Sequence, residues 1–337
     1  MHEAILYQKK KNGVVACLLC QHKCIISPGK TGICAVRENR DGVLYSLVYG
    51  KVIAGQVDPI EKKPLFHFLP GSLTYGVSTV GCNFRCQQCL NWSMSQAKGT
   101  DGNLLPEVLP GQIVDAALRD NCHSISYTYN EPTLSIEYNL ELTKLAHQNG
   151  LKNVWVSNGY MSPDALKLLT PHLDAINIDL KAYSKNFYNK ICKAKMRPVL
   201  ENLKLIKHLG KTWLEITTLV IPGLNDSPAE LKKIANFIYQ KLGADTPWHL
   251  SKFSPEISWQ LGDTPTTPPS TLQKAYDIGK KAGLHYVYVG NIWTDGLENT
   301  YCPDCNTVVI ERHGFLTERK DRDGACPNCG EKIKLVL

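Results

Sequence analysis

The chain has 337 residues, a formal net charge of +7, and 43% hydrophobic against 20% charged residues. This balance is typical of a globular protein and excludes a disordered or fibrous chain. No apolar run reaches the length of a membrane span, and the first residues lack the apolar segment of a signal peptide, so we expect a cytoplasmic protein. The mild positive charge permits an anionic partner but does not require one.

The chain contains 13 cysteines. In a cytoplasmic protein, this frequency indicates metal sites rather than disulfides. The cysteines fall into three groups, which predict an N-terminal Cys-rich module with a lead-in segment (1–69), a core (70–292) and a C-terminal module (293–337). Cys122 and Cys192 belong to no group, and we expect them to be buried thiols.

The N-terminal group has an irregular spacing and comprises Cys17, Cys20, Cys24 and Cys34. Four thiolates can bind zinc or an auxiliary [4Fe–4S] cluster, and His22 could replace one of them. Gly29 and Gly32 suggest tight turns that return Cys34 to the other three. The sequence favours zinc slightly and leaves the cluster open.

The core alternates short apolar segments with amphipathic helical segments. We predict strands at 73–79, 124–129, 153–157, 175–180, 213–221, 248–253 and 285–289. Helices are predicted at 111–121, 134–148, 163–169, 198–209, 228–242 and 268–282. This alternation indicates βα units and a parallel sheet. Right-handed crossovers curl such a sheet, so we expect an α/β fold with a partial (β/α)6 TIM-like barrel and functional residues at the C-terminal strand ends.

Three cysteines follow the first predicted core strand with the spacing C-x3-C-x2-C: Cys82, Cys86 and Cys89. Three thiolates of one loop can hold three irons of a [4Fe–4S] cluster, and the fourth iron is left open because no further cysteine is near in the sequence. A zinc knuckle or a set of buried thiols is the alternative. A zinc site requires a fourth Cys or His, and the loop as far as Trp92 offers none.

The sequence resembles the radical S-adenosylmethionine (SAM) superfamily. The resemblance lies in the cysteine spacing and in residues 57–72, Gly81–Phe84 and Tyr129–Thr133. Within this superfamily, the chain is similar to the AmmeMemoRadiSam system radical SAM enzymes, which are like pyruvate formate-lyase activating enzyme. The resemblance implies a radical SAM core barrel and reductive cleavage of SAM at the cluster. The product would be a 5′-deoxyadenosyl radical that abstracts hydrogen from a C–H bond.

Polar residues at the ends of three predicted strands are the candidate SAM contacts: Asn130, Glu131, Ser157, Asn158, Asp179 and Lys181. The resemblance implies that Glu131 binds the methionine ammonium, Lys181 its carboxylate, and Asp179 the ribose or ammonium. Ser157 and Asn158 could hold the ribose hydroxyls or the carboxylate. A helix N-cap, a turn and a surface ion pair are the respective alternatives. No catalytic residue is assigned beyond the cluster.

One position departs from the superfamily pattern. The residue before the last cluster cysteine is usually aromatic and packs near adenine, but here it is Gln88. Phe84 or Trp92 could take over that role.

The C-terminal module has two C-x2-C pairs, formed by Cys302, Cys305, Cys326 and Cys329. This spacing is typical of a zinc ribbon, in which four thiolates close a tetrahedral site, and so small a module requires a metal to fold. An auxiliary cluster or a rubredoxin-like iron is the alternative. A run of basic residues between the pairs could contact nucleic acid or form a solvated face: Arg312, His313, Arg319, Lys320 and Arg322.

The substrate stays open at this point. Similarity to glycyl-radical activases implies a glycine Cα of a partner protein, with a flavodoxin- or ferredoxin-like reductant. An RNA or small-molecule substrate, handled together with Memo-like and AMMECR-type partners, is the rival. A hypothesis from another class is a non-enzymatic zinc-dependent factor that binds RNA or protein through its terminal modules.

Overall fold

The structure is a computed structural model that describes residues 2–100 and 105–337. Residue 1 and residues 101–104, which fall in the predicted N-terminal module and core, lie outside the described residues. The N-terminal segment forms two small antiparallel sheets with the strand orders β1-β6-β5 and β2-β3-β4. The strands are β1 (His2–Glu3), β2 (Tyr7–Lys9), β3 (Val15–Cys17), β4 (Ile25–Ile26), β5 (Arg37–Arg40) and β6 (Val43–Ser46).

The centre of the molecule is an eight-stranded sheet. Its strands are β7 (Ala54–Pro59), β8 (Leu73–Ser78), β9 (Ser124–Tyr127), β10 (Lys152–Ser157), β11 (Ala175–Asp179), β12 (Trp213–Val220), β13 (Trp248–Lys252) and β14 (Val287–Gly290). They follow one another in chain order across the sheet; β8 to β14 are parallel and β7 is antiparallel to β8. In the described part of the chain, β7 and β14 are the two edges, which confirms the predicted partial barrel.

Helices cross over between successive strands. They are α1 (Trp92–Ser95), α2 (Pro110–Arg119), α3 (Ile136–Gln148), α4 (Pro163–Leu169), α5 (Lys185–Phe187), α6 (Met196–Leu209), α7 (Pro228–Leu242) and α8 (Pro269–Lys281). Several begin at a proline, whose fixed φ and missing N–H suit the first helical turn. Ser162 and Ser227 cap α4 and α7 by accepting hydrogen bonds from backbone N–H groups. None of the described helices combines the length and apolarity that crossing a membrane requires.

Strand β7 was not predicted from the sequence. It pairs with β8 from Ala54 opposite Ser78 to Pro59 opposite Leu73, and most of its side chains are partly or fully exposed. An edge strand that contains glycine and proline lacks the apolar alternation that marks a half-buried strand. The lead-in segment therefore contributes the antiparallel edge of the central sheet.

A buried carboxylate closes the N-terminal end of the barrel. Glu215, near the start of β12, accepts hydrogen bonds from the backbone N–H groups of Phe66 (3.0 Å) and His67 (2.9 Å). It also accepts from Trp213 Nε1 at 2.9 Å and lies 2.6 Å from His249 Nε2. Burial alone would raise the pKa of Glu215, but the His249 hydrogen bond and charge lower it to about 2. The segment before β8 therefore plugs the barrel at the end opposite to the cysteine loop.

The C-terminal module comprises β15 (Thr300–Tyr301), β16 (Val308–His313) and β17 (Leu316–Arg319). Arg312 on β16 is fully buried, donates to the carbonyl of Phe66 (2.6 Å), and lies 4.2 Å from the centre of the Phe66 ring. Arg319 pairs with Asp321, and Lys320 with Glu311. Arg312 therefore docks the module on the barrel, whereas the other four basic residues of the run are exposed and two of them face acids.

His67 joins the barrel plug to the end of the chain. Its Nδ1 lies 2.7 Å from the carbonyl oxygen of Lys334, and its Nε2 lies 2.5 Å from the hydroxyl of Tyr288. A carbonyl only accepts, so Nδ1 carries the proton and Nε2 accepts from the tyrosine. Burial lowers the pKa of His67 from 6.5 to about 4, although the nearby Glu215 charge opposes this. The imidazole is therefore neutral at pH 7.

We expect acid to loosen this joint between pH 6.5 and pH 4, the interval in which unfolded but not folded His67 binds a proton. Glu215 stays ionised throughout this pH interval. Neither Arg312 nor His249 provides a negative charge that would stabilise the protonated His67. Hydrogen exchange at the Val336 amide, corrected for intrinsic rates, should therefore speed up in this window. His67→Asn should be less stable at pH 7.5 but show a flatter pH dependence; His147→Gln, at a half-exposed histidine, is the control. Equal slopes for wild type and His67→Asn would contradict the assignment.

Candidate active site

The cysteine loop leaves β8 through a glycine that no other residue can replace. Gly81 has φ +93°, and a Cβ on it would lie 2.4 Å from Val36 Cγ1. That contact is far below van der Waals distance, and the positive φ adds strain for any other residue. Glycine therefore lets the start of the loop press directly against the N-terminal module.

Cys82, Cys86 and Cys89 lie close enough to influence one another. The backbone N–H of Phe84 donates to Cys82 Sγ at 3.4 Å, and Ser95 Oγ lies 3.3 Å from Cys89 Sγ. Burial raises the pKa of Cys82 and Cys89, and the neighbouring thiols raise it further. Three such thiols become thiolates together only when a cation compensates their charge, so the loop fits a metal group.

The spacing of these thiols fits a multi-iron group better than a single ion. Within residues 2–100 and 105–337, the possible metal ligands are the side-chain atoms of His, Cys, Asp and Glu. One set of three or more of these atoms has all its members within 4.8 Å of one another, and that set is the C-terminal one. Thiolates that share one zinc ion lie close together, whereas thiolates that bind different irons of a cubane are further apart. The loop thiols therefore fit a [4Fe–4S] cluster rather than a zinc knuckle.

The structure brings a fourth thiol next to the loop, from a residue that is distant in the sequence. Cys192, in the π-helical turn Tyr188–Cys192, makes a side-chain hydrogen bond with Cys86, and Gln88 Nε2 lies 3.9 Å from its sulfur. Backbone bonds from Arg85 N and Gln87 N to residues 192 and 191 fix this contact. Two thiols in hydrogen-bond contact are too close to bind different corners of a cubane. Cys192 thus lies against Cys86 and is not a ligand of its own at the open corner.

Glu131, after β9, occupies the centre of the strand-end residues. Its carboxylate accepts from Thr133 N (3.2 Å), Ser157 Oγ (2.9 Å) and Asn158 N (2.9 Å). Burial raises the pKa of Glu131, and these hydrogen bonds oppose that rise. Both carboxylate oxygens are already engaged within the protein. The carboxylate therefore ties the ends of β9 and β10 together.

Two asparagines connect the strand ends to the cysteine loop. Asn130 Nδ2 donates to the carbonyl of Gly81 at 3.1 Å. Asn158 Nδ2 donates to Asn83 Oδ1 at 2.7 Å and lies 3.8 Å from Cys82 Sγ. These amides fix the start of the loop, so their first role in the structure is to position Cys82.

Asp179 and Lys181, at the end of β11, form an ion pair of 2.9 Å. Burial would lower the pKa of Lys181, but Asp179 and the thiols of Cys86 and Cys192 raise it well above its ordinary value. The pair is thus partly buried beside the cysteine loop and differs from the surface pair weighed as the alternative. It places a cation next to the thiols of Cys86 and Cys192.

The aromatic residues near the loop take different positions. Phe84 is buried, and its ring packs against Tyr160 (5.1 Å) and Tyr188 (6.3 Å) in the core. Trp92 is 45% exposed. Gln88 is buried, and its Oε1 has no hydrogen-bond partner among the described residues. Of the two aromatic substitutes predicted for adenine packing, only Trp92 is accessible.

A polar cluster at the β7–β8 edge was missed in the sequence. Lys63 is buried, donates to Asp58 at 2.6 Å, and lies 4.5 Å from the ring centre of Tyr129. Burial would raise the pKa of Asp58, but hydrogen bonds from Lys62, Lys63 and Tyr129 lower it to about 2. Tyr129 has φ +70° and directly precedes Asn130. Asp58 and Lys63 lie in the segment that carries the family resemblance, which was the one available signal.

The four N-terminal cysteines and His22 line one cavity next to the cysteine loop. The C-terminal thiols converge more tightly: Cys302 and Cys329 sulfurs are 3.6 Å apart, and those of Cys305 and Cys326 are 3.5 Å apart. Tetrahedral ligation at a Zn–S distance of about 2.3 Å requires a separation of roughly 3.8 Å. The C-terminal geometry therefore fits one tetrahedral ion.

Comparisons with known proteins agree with this geometry. Residues 77–238 match the Radical SAM superfamily. The chain is 44% identical over 340 residues to an uncharacterized protein of Methanocaldococcus jannaschii, covering 100% of both chains. It is 25% identical over 197 residues to the pyruvate formate-lyase-activating enzyme of Clostridium pasteurianum, covering 56% of this chain and 77% of that one. A radical SAM methyltransferase from Sphaerobacter thermophilus shares the fold with TM-score 0.50 and 14% identity, covering 66% and 67% of the two chains.

The strand-end loop with three cysteines and these matches define a class of enzyme that uses SAM for radical chemistry. The chain belongs to the radical SAM superfamily. Its relatives include activating enzymes, and it is an enzyme itself. The hypothesis of a non-enzymatic binding factor is therefore not retained.

We expect Cys305→Ser to remove about one metal ion per chain, because three remaining thiolates cannot close the tetrahedral site. The C-terminal module should then unfold, since metal binding and folding are coupled in such small units. Metal analysis and limited proteolysis after residue 300 measure both effects. Cys122→Ser, at a buried thiol outside the three groups, is the control. Full zinc content and unchanged proteolysis in Cys305→Ser would contradict a structural zinc.

Proposed function

We propose that Cys82, Cys86 and Cys89 hold a [4Fe–4S] cluster at which this enzyme reductively cleaves SAM. The observation that carries the proposal is one loop, at the C-terminal end of β8, whose three thiols do not converge on a single ion. When bound, the cluster supplies the electron that breaks the carbon–sulfur bond, giving methionine and a 5′-deoxyadenosyl radical. The remaining residues bind and orient the SAM molecule.

The charges around the loop suit a zwitterionic methionine group. Lys181 provides a cation for the carboxylate, and Asp179 provides an acceptor for the ribose or the ammonium. Glu131 acts by holding Ser157 and Asn158, because its own oxygens are occupied. Gln88 Oε1 is a buried acceptor without a partner among the described residues, and it suits the amino group of adenine.

The substrate we favour is a glycine Cα of a partner protein. Leu90 (59% exposed) and Trp92 (45% exposed) lie at the end of the cysteine loop and offer an apolar surface. Such a surface suits a polypeptide better than RNA, which requires free cations. The basic residues of the C-terminal module are largely engaged with acids or buried. The radical would take a hydrogen atom from the glycine and leave 5′-deoxyadenosine.

We expect Cys86→Ala to abolish the cluster and SAM cleavage, because two thiolates cannot hold the cubane. The loss of the cluster is measured by iron and sulfide analysis after anaerobic reconstitution. The loss of SAM cleavage is measured by chromatography of 5′-deoxyadenosine after dithionite reduction. Cys122→Ser should behave like the wild type. Cys192→Ser should keep its iron, since that thiol lies too close to Cys86 to bind a separate iron. Persistent 5′-deoxyadenosine formation in Cys86→Ala would refute the proposal.

Glu131→Gln should weaken SAM binding by about 10- to 100-fold, the equivalent of roughly 1.5–3 kcal/mol. Each carboxylate oxygen accepts from a backbone N–H, of Thr133 or Asn158. Whichever carboxylate oxygen is replaced by the NH2 group of glutamine, that group would therefore face one of these backbone N–H donors, and the hydrogen bond would be lost. Isothermal titration of the reconstituted enzyme with SAM measures the change. The matched control is Glu141→Gln, at an exposed glutamate that accepts a hydrogen bond from the hydroxyl of Tyr49. Equal SAM affinities in the two variants would argue against a positioning role for Glu131.

The substrate class requires a separate experiment. The reduced enzyme is incubated with SAM and with each Memo-like or AMMECR-type protein carrying α-deuterated glycine. Deuterium in 5′-deoxyadenosine together with a glycyl radical signal supports the protein substrate. Deuterium transfer only from a labelled RNA or small-molecule pool would instead favour the rival, with those proteins as partners. A flavodoxin- or ferredoxin-like protein should replace dithionite as reductant.

A further inference from the structure

Four thiols line one cavity beside the candidate active site. They belong to Cys17, Cys20, Cys24 and Cys34. Cys17 ends β3, the next two follow in the turn before and at β4, and Cys34 lies just before β5. Asn83, which directly follows Cys82, forms part of the same wall. The cavity and the candidate active site are thus separated by the start of the cysteine loop.

A buried cation in this cavity has unused donors. Arg37 lines the cavity and is fully buried. Its Nη2 donates to Glu137 at 2.6 Å and to the carbonyl of Ile5 at 2.9 Å. Its Nε and Nη1 have no partner among the described residues. Unpaired buried N–H groups cost free energy, and a group of four metal-bound thiolates is an anion that would accept from them.

The spacing of the thiols distinguishes a cluster from a single ion. The C-terminal thiols lie within 4.8 Å of one another, whereas no three of the N-terminal ligand atoms do so in the described part of the chain. His22 does not complete a smaller site through Nε2, because this atom lies 2.7 Å from the carbonyl oxygen of Asn83 and must donate to it. A set of four thiols that is less tightly gathered than the C-terminal one favours a multi-iron group over a single ion.

We propose that Cys17, Cys20, Cys24 and Cys34 hold a second [4Fe–4S] cluster, fully ligated by the protein, that passes electrons to the cluster at Cys82, Cys86 and Cys89. A cluster without an open iron transfers electrons and binds no substrate. The N-terminal cluster would take one electron from a flavodoxin- or ferredoxin-like donor and pass it to the cluster at the active site. The proposal departs from the slight preference for zinc in the sequence analysis. It rests on the proposed function in one respect, because the electron acceptor is the cluster proposed there.

The contact between the two sites supports this transfer. A Cβ on Gly81 would lie 3.1 Å from the carbonyl oxygen of Cys34. Arg85 Nη2 donates to the carbonyl of Ile33 at 2.5 Å. The backbone around Cys34 is therefore packed directly on the backbone before Cys82, and no further layer of residues is required to connect the sites.

The ligand identity is tested in a variant that cannot bind the active-site cluster. C82A/C86A/C89A is reconstituted anaerobically with iron and sulfide and then assayed for iron, sulfide and zinc. We expect about four irons and about four sulfides per chain, against about eight of each in the wild type. About one zinc should remain at the C-terminal module. Two zinc ions without iron, or no second metal, would overturn the proposal.

Two further variants keep this test specific. Adding C17S and C34S to the triple variant should remove the remaining iron, whereas adding His22→Gln, which retains a donor for Asn83, should keep it. Adding Cys122→Ser should also change nothing. Since the triple variant cannot cleave SAM, these counts stand or fall independently of the proposed function.

Electron transfer is tested by spin coupling in the full-length protein. Two reduced clusters in contact broaden and split each other's electron paramagnetic resonance signals. We expect the dithionite-reduced wild type to differ from the sum of the spectra of C82A/C86A/C89A and C17S/C34S. A wild-type spectrum equal to that sum would overturn the relay, even if both clusters are present. If C17S/C34S does not fold, Mössbauer spectroscopy of the wild type still distinguishes eight cluster irons from four.

Discussion

The buried carboxylate of Glu131 is the interaction on which the active-site region depends. It collects donors from Thr133 and from residues 157 and 158, and so fixes the end of β9 against the end of β10. Asn158 then holds Asn83 and touches Cys82, so the same carboxylate indirectly places the first thiol of the loop. A buried charge is tolerated only when its lone pairs are satisfied, which makes this arrangement rigid. A thiol loop on such a support can be pre-organised for a metal group.

The three cysteine groups differ in the way their thiols are arranged. The C-terminal thiols converge as expected for one ion, and their module is docked on the barrel by Arg312. Within the described residues, the ligand atoms of the other two groups do not gather as tightly, and the two groups lie on opposite sides of Gly81 and Asn83. Convergence suits a structural ion, while separation suits a multi-iron group. The candidate structural metal site therefore lies in the module docked at the plugged end of the barrel, and the other two cysteine groups lie at the opposite end.

The barrel itself was largely predictable, because its signals are local. Apolar strands, proline-initiated helices and serine caps mark α4 and α7 without reference to the rest of the chain. Strand β7 was not predictable, since an exposed edge strand with Gly55 and Pro59 carries no apolar alternation. The position of Arg312 was not predictable either, because nothing near it in the sequence indicates that it is buried against Phe66.

The sequence by itself determined the radical SAM class, the three cysteine groups, and the strand ends at which polar residues gather, because each depends on spacing along a short segment. Only the tertiary structure decided that Cys192 lies beside Cys86, that Glu131 is a buried support, and that Arg37 faces the N-terminal thiols. These facts join residues far apart in the chain. Such contacts are set by the packing of whole elements against each other, which no local pattern of residues encodes.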